Sequence, residues 1–265
     1  MRDLCDLLQR TGVQVGSVVF PSQSPGAAHR FADAHLNVTS PWAPVETLFA
    51  RELRRRGVPC ISPPVPYGIP ETFRWVQTIQ DALGRQPSDW QPSVQQIRTE
   101  LQPLWDEAHT QVHAAESRMV FVFDHGTWDE FLSPRFFFGT SPLALFEEPG
   151  VPVTVIRCLR TPSESRKEPS DGKATSAPPV APQENVRFLE FPPGTSLAEA
   201  LAGQAGSVLY CDAPDTRAFV AMGLLPLSIR GLRSGLKGHL RNLSALLTRS
   251  RLQLHRRYGP INEEP

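Results

Sequence analysis

The chain has 265 residues, enough for one large or two ordinary domains, and its 40% hydrophobic content can form a core. Its 27 basic and 27 acidic residues balance, so charge gives no reason to expect a nucleic acid or an anionic membrane as a partner. No apolar run approaches the roughly 20 residues of a membrane helix. The N-terminus lacks the apolar core and cleavage site of a signal peptide, so we expect a cytoplasmic protein without a membrane span.

The first 85 residues predict alternating helices and strands. Hydrophobic periodicity predicts helices at 3–10 and 44–56 and strands at 13–20, 36–39 and 58–61. Arg54–Arg56 followed by Gly57 is typical of a helix end, because cations complement the negative end of the helix dipole. The alternation predicts a parallel sheet with right-handed crossovers.

A turn and an amphipathic helix follow the strand at 58–61. Pro66-Tyr67-Gly68 predicts the turn, and Thr72 is a candidate N-cap. The helix ends at Gly84, and its apolar face is formed by Trp75, Val76, Ile79 and Leu83. Open α/β sheets bind ligands where the carboxyl end of a strand leads into a turn and a helix, so this turn is a candidate site.

The remainder of the chain predicts a second α/β region. A connector is expected at 86–92, and then a helix at 93–113 that Pro103 breaks or kinks. Residues 161–185 are polar and proline-rich, so we expect a disordered insert there. The expected strands are 119–123, 151–158, 186–191, 208–211 and 225–229, and the expected helices are 196–202, 216–222 and 236–257.

Two acidic segments follow expected strands, namely Asp124-His125 and Asp212–Asp215. At such positions a carboxylate can act in an active site or can form a turn or cap a helix, and the sequence leaves both readings open. The four cysteines form no CxxC or CxxxC pair, and His109 and His113, four residues apart, lack a clear third ligand. No metal site is predicted.

The turn region resembles the nitrogenase component 1 family, which includes the catalytic subunits of light-independent protochlorophyllide reductase. That family has a "GxP" strand and then a "PxGxxxT" turn that leads into a helix. The matching residues are Gly57, Pro59, Pro66, Gly68 and Thr72.

The resemblance extends over nearly the whole chain through the order and spacing of weaker motifs. Leu7-Leu8 through Pro21 is similar to the helix–strand unit that opens the family's middle domain. The other similar segments are a strand at 34–38, a strand at 118–124, the "MGIP" segment at 221–226 and the "GxxG" step at 235–238.

The resemblance implies an α/β fold with two Rossmann-like parallel-sheet domains of the nitrogenase component 1 type. Residues 1–85 would be the middle domain and 86–265 the C-terminal domain. The resemblance covers no part of the family's first domain, which carries its cluster-binding cysteines. The segment Asn37–Trp42 contains no cysteine and Ser228–Gly231 contains no histidine, so a nitrogenase metal cofactor is not expected.

The resemblance implies one of two functions. The first is a shortened reductase subunit that supports reduction of a tetrapyrrole with a homologous subunit and an iron–sulfur electron donor. The second is a non-catalytic tetrapyrrole-binding or assembly protein. In either case this chain alone would bind no cofactor, and an iron–sulfur cluster would require partner subunits. No catalytic residue can be matched; Pro66, Gly68 and Thr72 are the turn candidates, and the apolar contact candidates are Trp42, Trp75 and Trp128.

Overall fold

The computed structural model describes residues 2–16, 33–39, 51–124, 140, 143–158, 184–192, 194–205, 207–211, 216–227 and 231–251. The chain divides into two compact units, and the division falls within a long helix after Asp106. Thr140 and residues 233–240 belong to the first unit although they lie far along the chain. The expected domain boundary after residue 85 stays a prediction, because compactness does not by itself define an independently folding domain.

The first unit contains a two-stranded parallel sheet and several helices. Strand β1 (Asn37–Val38) pairs with β2 (Cys60–Ile61), as the alternation predicts. Residues 51–55 are helical, and a turn at Gly57 follows them. There the Gly57 and Val58 amides donate to the Arg54 and Leu53 carbonyls, respectively. The other helices are α1 (Arg2–Arg10), α2 (Ile69–Ala82) and α3 (Pro87–Ala114).

The core of the first unit is formed by the apolar faces of these helices. Leu4, Leu7 and Leu8 of α1 are buried, as their spacing predicts. Phe73 of α2 meets Trp105 of α3 edge to face, with ring centroids 6.4 Å apart. The same cluster includes Val76, Trp90, Ile97 and Leu236.

The second unit contains a five-stranded sheet in which every pairing is parallel. Its strands are β3 (Met119–Asp124), β4 (Val153–Cys158), β5 (Val186–Phe191), β6 (Val208–Cys211) and β7 (Leu225–Pro226). The spatial order is β5-β4-β3-β6-β7. The central strand is therefore β3, with β4 and β5 on one side of it and β6 and β7 on the other. The order reverses between β3 and β6, which makes that position a topological switch point.

Both faces of the five-stranded sheet are covered by helices. These are α4 (Ala144–Glu147), α5 (Leu197–Ala200) and α6 (Thr216–Ala221). The last described helix of the chain is α7 (Leu236–Arg251). On one face, Val120 and Ile156 belong to a buried cluster with Phe219 of α6. On the other, Phe121 meets Phe146 of α4 edge to face at 5.8 Å. Burial on both faces explains why these strands are continuous apolar runs.

Several expected elements differ from those observed. Residues 13–16 form no strand, and 17–20 lie outside the described residues. The connector expected at 86–92 is wrong, because α3 begins at Pro87 and continues through Pro92 and Pro103. Proline suits the first helical position, where its missing N–H has no intrahelical partner.

The expected insert at 161–185 lies outside the described residues except for Glu184 and Asn185. Asn185 precedes β5 and donates through Nδ2 to the carbonyls of Phe146 and Val151, at 3.2 and 2.8 Å. The expected helix at 196–202 is confirmed as the shorter α5, and the Ser196 hydroxyl accepts from the Glu199 amide at 3.2 Å.

Within the first unit, the start of α7 is held by a residue from the other end of the sequence. Asp3 Oδ2 accepts hydrogen bonds from the amides of Lys237 and Gly238, at 2.8 and 3.4 Å. A carboxylate at this position satisfies free helix N–H groups and complements the positive end of the dipole. Gly235, with φ +88°, leaves room for it, since a Cβ there would collide with Asp3 Oδ2.

We expect Gly235→Ala to destabilise the protein more than Gly84→Ala. Both glycines have positive φ, but a Cβ at Gly84 would meet no heavy atom of the described residues within 4 Å. Backbone strain alone costs about 1 kcal/mol, and displacement of the Asp3 carboxylate adds about 1 kcal/mol more. Urea unfolding followed by circular dichroism measures both; equal losses would show that the Asp3 contact contributes nothing.

Candidate functional site at the carboxyl ends of the strands

In the first unit, the two parallel strands end in a cluster of small polar side chains. The Thr39 and Ser62 hydroxyl oxygens lie 2.5 Å apart, and Thr39 Oγ1 also donates to the Ile61 carbonyl at 3.3 Å. The Cys60 thiol lies 4.0 Å from Thr39 Oγ1. Sequence reasoning missed this cluster, although a hydroxyl residue that ends one expected strand (Thr39) and another directly after the next (Ser62) are a signal that could have found it.

The strands are also joined by two residues that carry the family resemblance. The backbone N–H of the buried Asn37 donates to the Pro59 carbonyl at 2.9 Å. The side-chain Nδ2 of Asn37 lies 3.4 Å from the same oxygen. Asn37 therefore fixes the β1–β2 register with both its backbone and its side chain.

Gly68 is the residue that redirects the chain from the end of β2 into α2. Its φ of 81° and ψ of 175° fall in a region that is essentially restricted to glycine. Pro66, Tyr67 and Gly68 are all buried. The predicted turn at Pro66–Gly68 is thus present, and its geometry requires glycine at 68.

Thr72 lies in the first turn of α2 and is not its N-cap. The helix begins at Ile69, so Gly68 takes the N-cap position without a side-chain cap. Thr72 is fully buried, and its Oγ1 donates to the Gly68 carbonyl at 2.5 Å. The N-cap prediction is wrong because the glycine turn, followed by Pro70 in the first helical turn, starts the helix four residues earlier.

Of the three tryptophans proposed as apolar contacts, the structure describes only Trp75. Trp75 is half-buried and packs against the core cluster that contains Phe73 and Trp105. Burial raises the pKa of the Tyr67 phenol, which therefore stays neutral at physiological pH. Trp42 and Trp128 lie outside the described residues. No arrangement of the three tryptophans around one ligand is established.

In the second unit, the described residues at the carboxyl ends of the strands include an aspartate and two cysteines. Asp124 ends β3 in register with Cys158 at the end of β4. Cys211 ends β6 in register with Val122. The expected residues that follow these strands, His125 and Asp212–Asp215, lie outside the described residues. The backbone thus places Asp124 at the topological switch point, where ligands bind in open α/β sheets.

A shallow cleft lies at the opposite, amino edge of this sheet. It has a volume of about 320 Å³ and is lined by His113, Glu116, Ser117, Arg118 and residues 150–152. Glu116 follows the end of α3 with φ 48°, a left-handed conformation that glycine usually adopts after a helix. The Ser117 hydroxyl is fully enclosed and has no hydrogen-bond partner among the described residues.

Comparison with known proteins adds no family assignment. No protein-family model matches the chain, and no curated protein matches it. None of the described helices combines the length and the apolar character needed to cross a membrane.

We expect Gly68→Ala to lower stability by about 1–3 kcal/mol, because alanine would be held in a backbone region that non-glycine residues avoid. Gly57→Ala is the matched control. Gly57 also has positive φ but has no heavy atom of the described residues near its Cβ position. Thermal unfolding compares the two variants. A smaller loss at Gly68 than at Gly57 would show that the turn relaxes to accept a side chain.

We expect Thr72→Ala to cost about 2 kcal/mol, the sum of a lost hydrogen bond and a lost buried methyl group. Thr72→Ser retains the hydroxyl and should lose about half as much. Equal losses in denaturant unfolding would mean that the bond to the Gly68 carbonyl contributes no stability.

We expect Glu116→Gly to stabilise the protein by about 1 kcal/mol, because glycine adopts the left-handed conformation without strain. Glu116→Ala removes the same carboxylate but keeps Cβ, so its melting temperature should stay close to that of the original protein. Stabilisation by both substitutions would assign the effect to charge instead of backbone conformation.

Proposed function

We propose that the protein is a subunit of the nitrogenase component 1 type, with Rossmann-like units, that supports the reduction of a tetrapyrrole. In this proposal it acts with a homologous subunit and receives electrons from an iron–sulfur donor. The chain would supply apolar surface and orientation, and the partner's cluster would supply the electrons.

The proposal is supported by contacts between segments that carry the family resemblance. In the first unit, Leu7 and Leu236 belong to one buried cluster. The Gly235 amide donates to the Pro66 carbonyl at 3.0 Å, and Asn37 bonds to Pro59. Motifs that are distant in sequence but in contact in the fold are expected if they were retained together as parts of one structure.

The second unit supports the proposal through its topology. All pairings are parallel, and the strand order reverses at β3 and β6. A Rossmann-like domain has this arrangement and binds its ligand at the carboxyl edge. Asp124 lies at that edge.

The internal bonding of the Pro66–Thr72 turn favours the second candidate function, a non-catalytic tetrapyrrole-binding or assembly protein. The Pro66 carbonyl accepts from Gly235, and the Thr72 hydroxyl donates to Gly68. These groups stabilise the turn itself. A turn of this kind can be retained for stability in a protein that does not catalyse the reaction.

Titration with protochlorophyllide tests both candidates. The isolated protein, and the protein reconstituted with a homologous subunit and an iron–sulfur donor, are followed by absorbance and by product formation. Reduction in the reconstituted complex supports the reductase subunit. A shifted pigment spectrum without reduction supports the binding or assembly protein, and no spectral change in either sample contradicts both.

A pair of variants localises any pigment contact. Trp75→Leu should weaken binding several-fold if the half-buried indole contacts the pigment. Gln77 lies on the exposed side of the same helix, so Gln77→Ala should leave pigment binding unchanged. Iron content and visible absorbance of the anaerobically purified protein, together with any subunit that co-purifies with it, provide a separate readout, because a reductase complex would contain an iron–sulfur cluster and the binding or assembly protein is expected to be colourless.

A further inference from the structure

We draw no further inference here: the strongest candidate, the shallow cleft at the amino edge of the five-stranded sheet, carries none because its unpartnered Ser117 hydroxyl is enclosed beneath the surface and the opposite charges of Glu116 and Arg118 select no class of ligand.

Discussion

Burial of β3 on both faces is the constraint that organises the second unit. Val120, Phe121 and Val122 are completely inaccessible to solvent, and each such side chain contributes about 1.5–3 kcal/mol through burial. A strand of this kind must have a neighbour on each edge and a layer on each face. β4 and β6 supply the neighbours, and the helices supply the layers. The switch point lies beside β3 because the chain extends the sheet in both directions from this central strand.

The elements of this sheet could be predicted because each buried strand is a short apolar run between turn residues. β3 to β6 lie within a few residues of the expected ranges. Their spatial order could not be predicted, because periodicity identifies a strand but contains no information about its neighbours. The error at 86–92 has a local cause. Prolines that normally indicate a connector are here the first residue of α3 and two positions inside it. The burial of Trp90 and Ile97 offsets the hydrogen bonds that the internal prolines cannot make.

In the candidate turn, the role of Gly68 could be predicted because the backbone conformation there requires glycine, whereas the role of Thr72 could not. Glycine at 68 signals a turn, and the structure has a glycine-only conformation there. Threonine is a residue type that favours the N-cap position, but its hydroxyl can also donate to a carbonyl four residues earlier. The Thr72 hydroxyl does so here. The left-handed Glu116 gives no signal in the sequence, because nothing marks a glutamate that replaces the usual glycine.

The turn's position in the first unit depends on residues at both ends of the chain. Pro66 is bonded to Gly235, Gly235 leads into α7, and the start of α7 is capped by Asp3. The helix that carries Asp3 is itself anchored by Leu4 and Leu7 in the core. The turn that contains Gly68 is thus connected through these contacts to α1 and α7 as well as to α2. The contact that caps α7 joins residues 234 positions apart, so this part of the first unit depends on long-range contacts. Residues 66–68 therefore indicate the turn by themselves, whereas its position in the first unit depends also on Asp3 and Gly235.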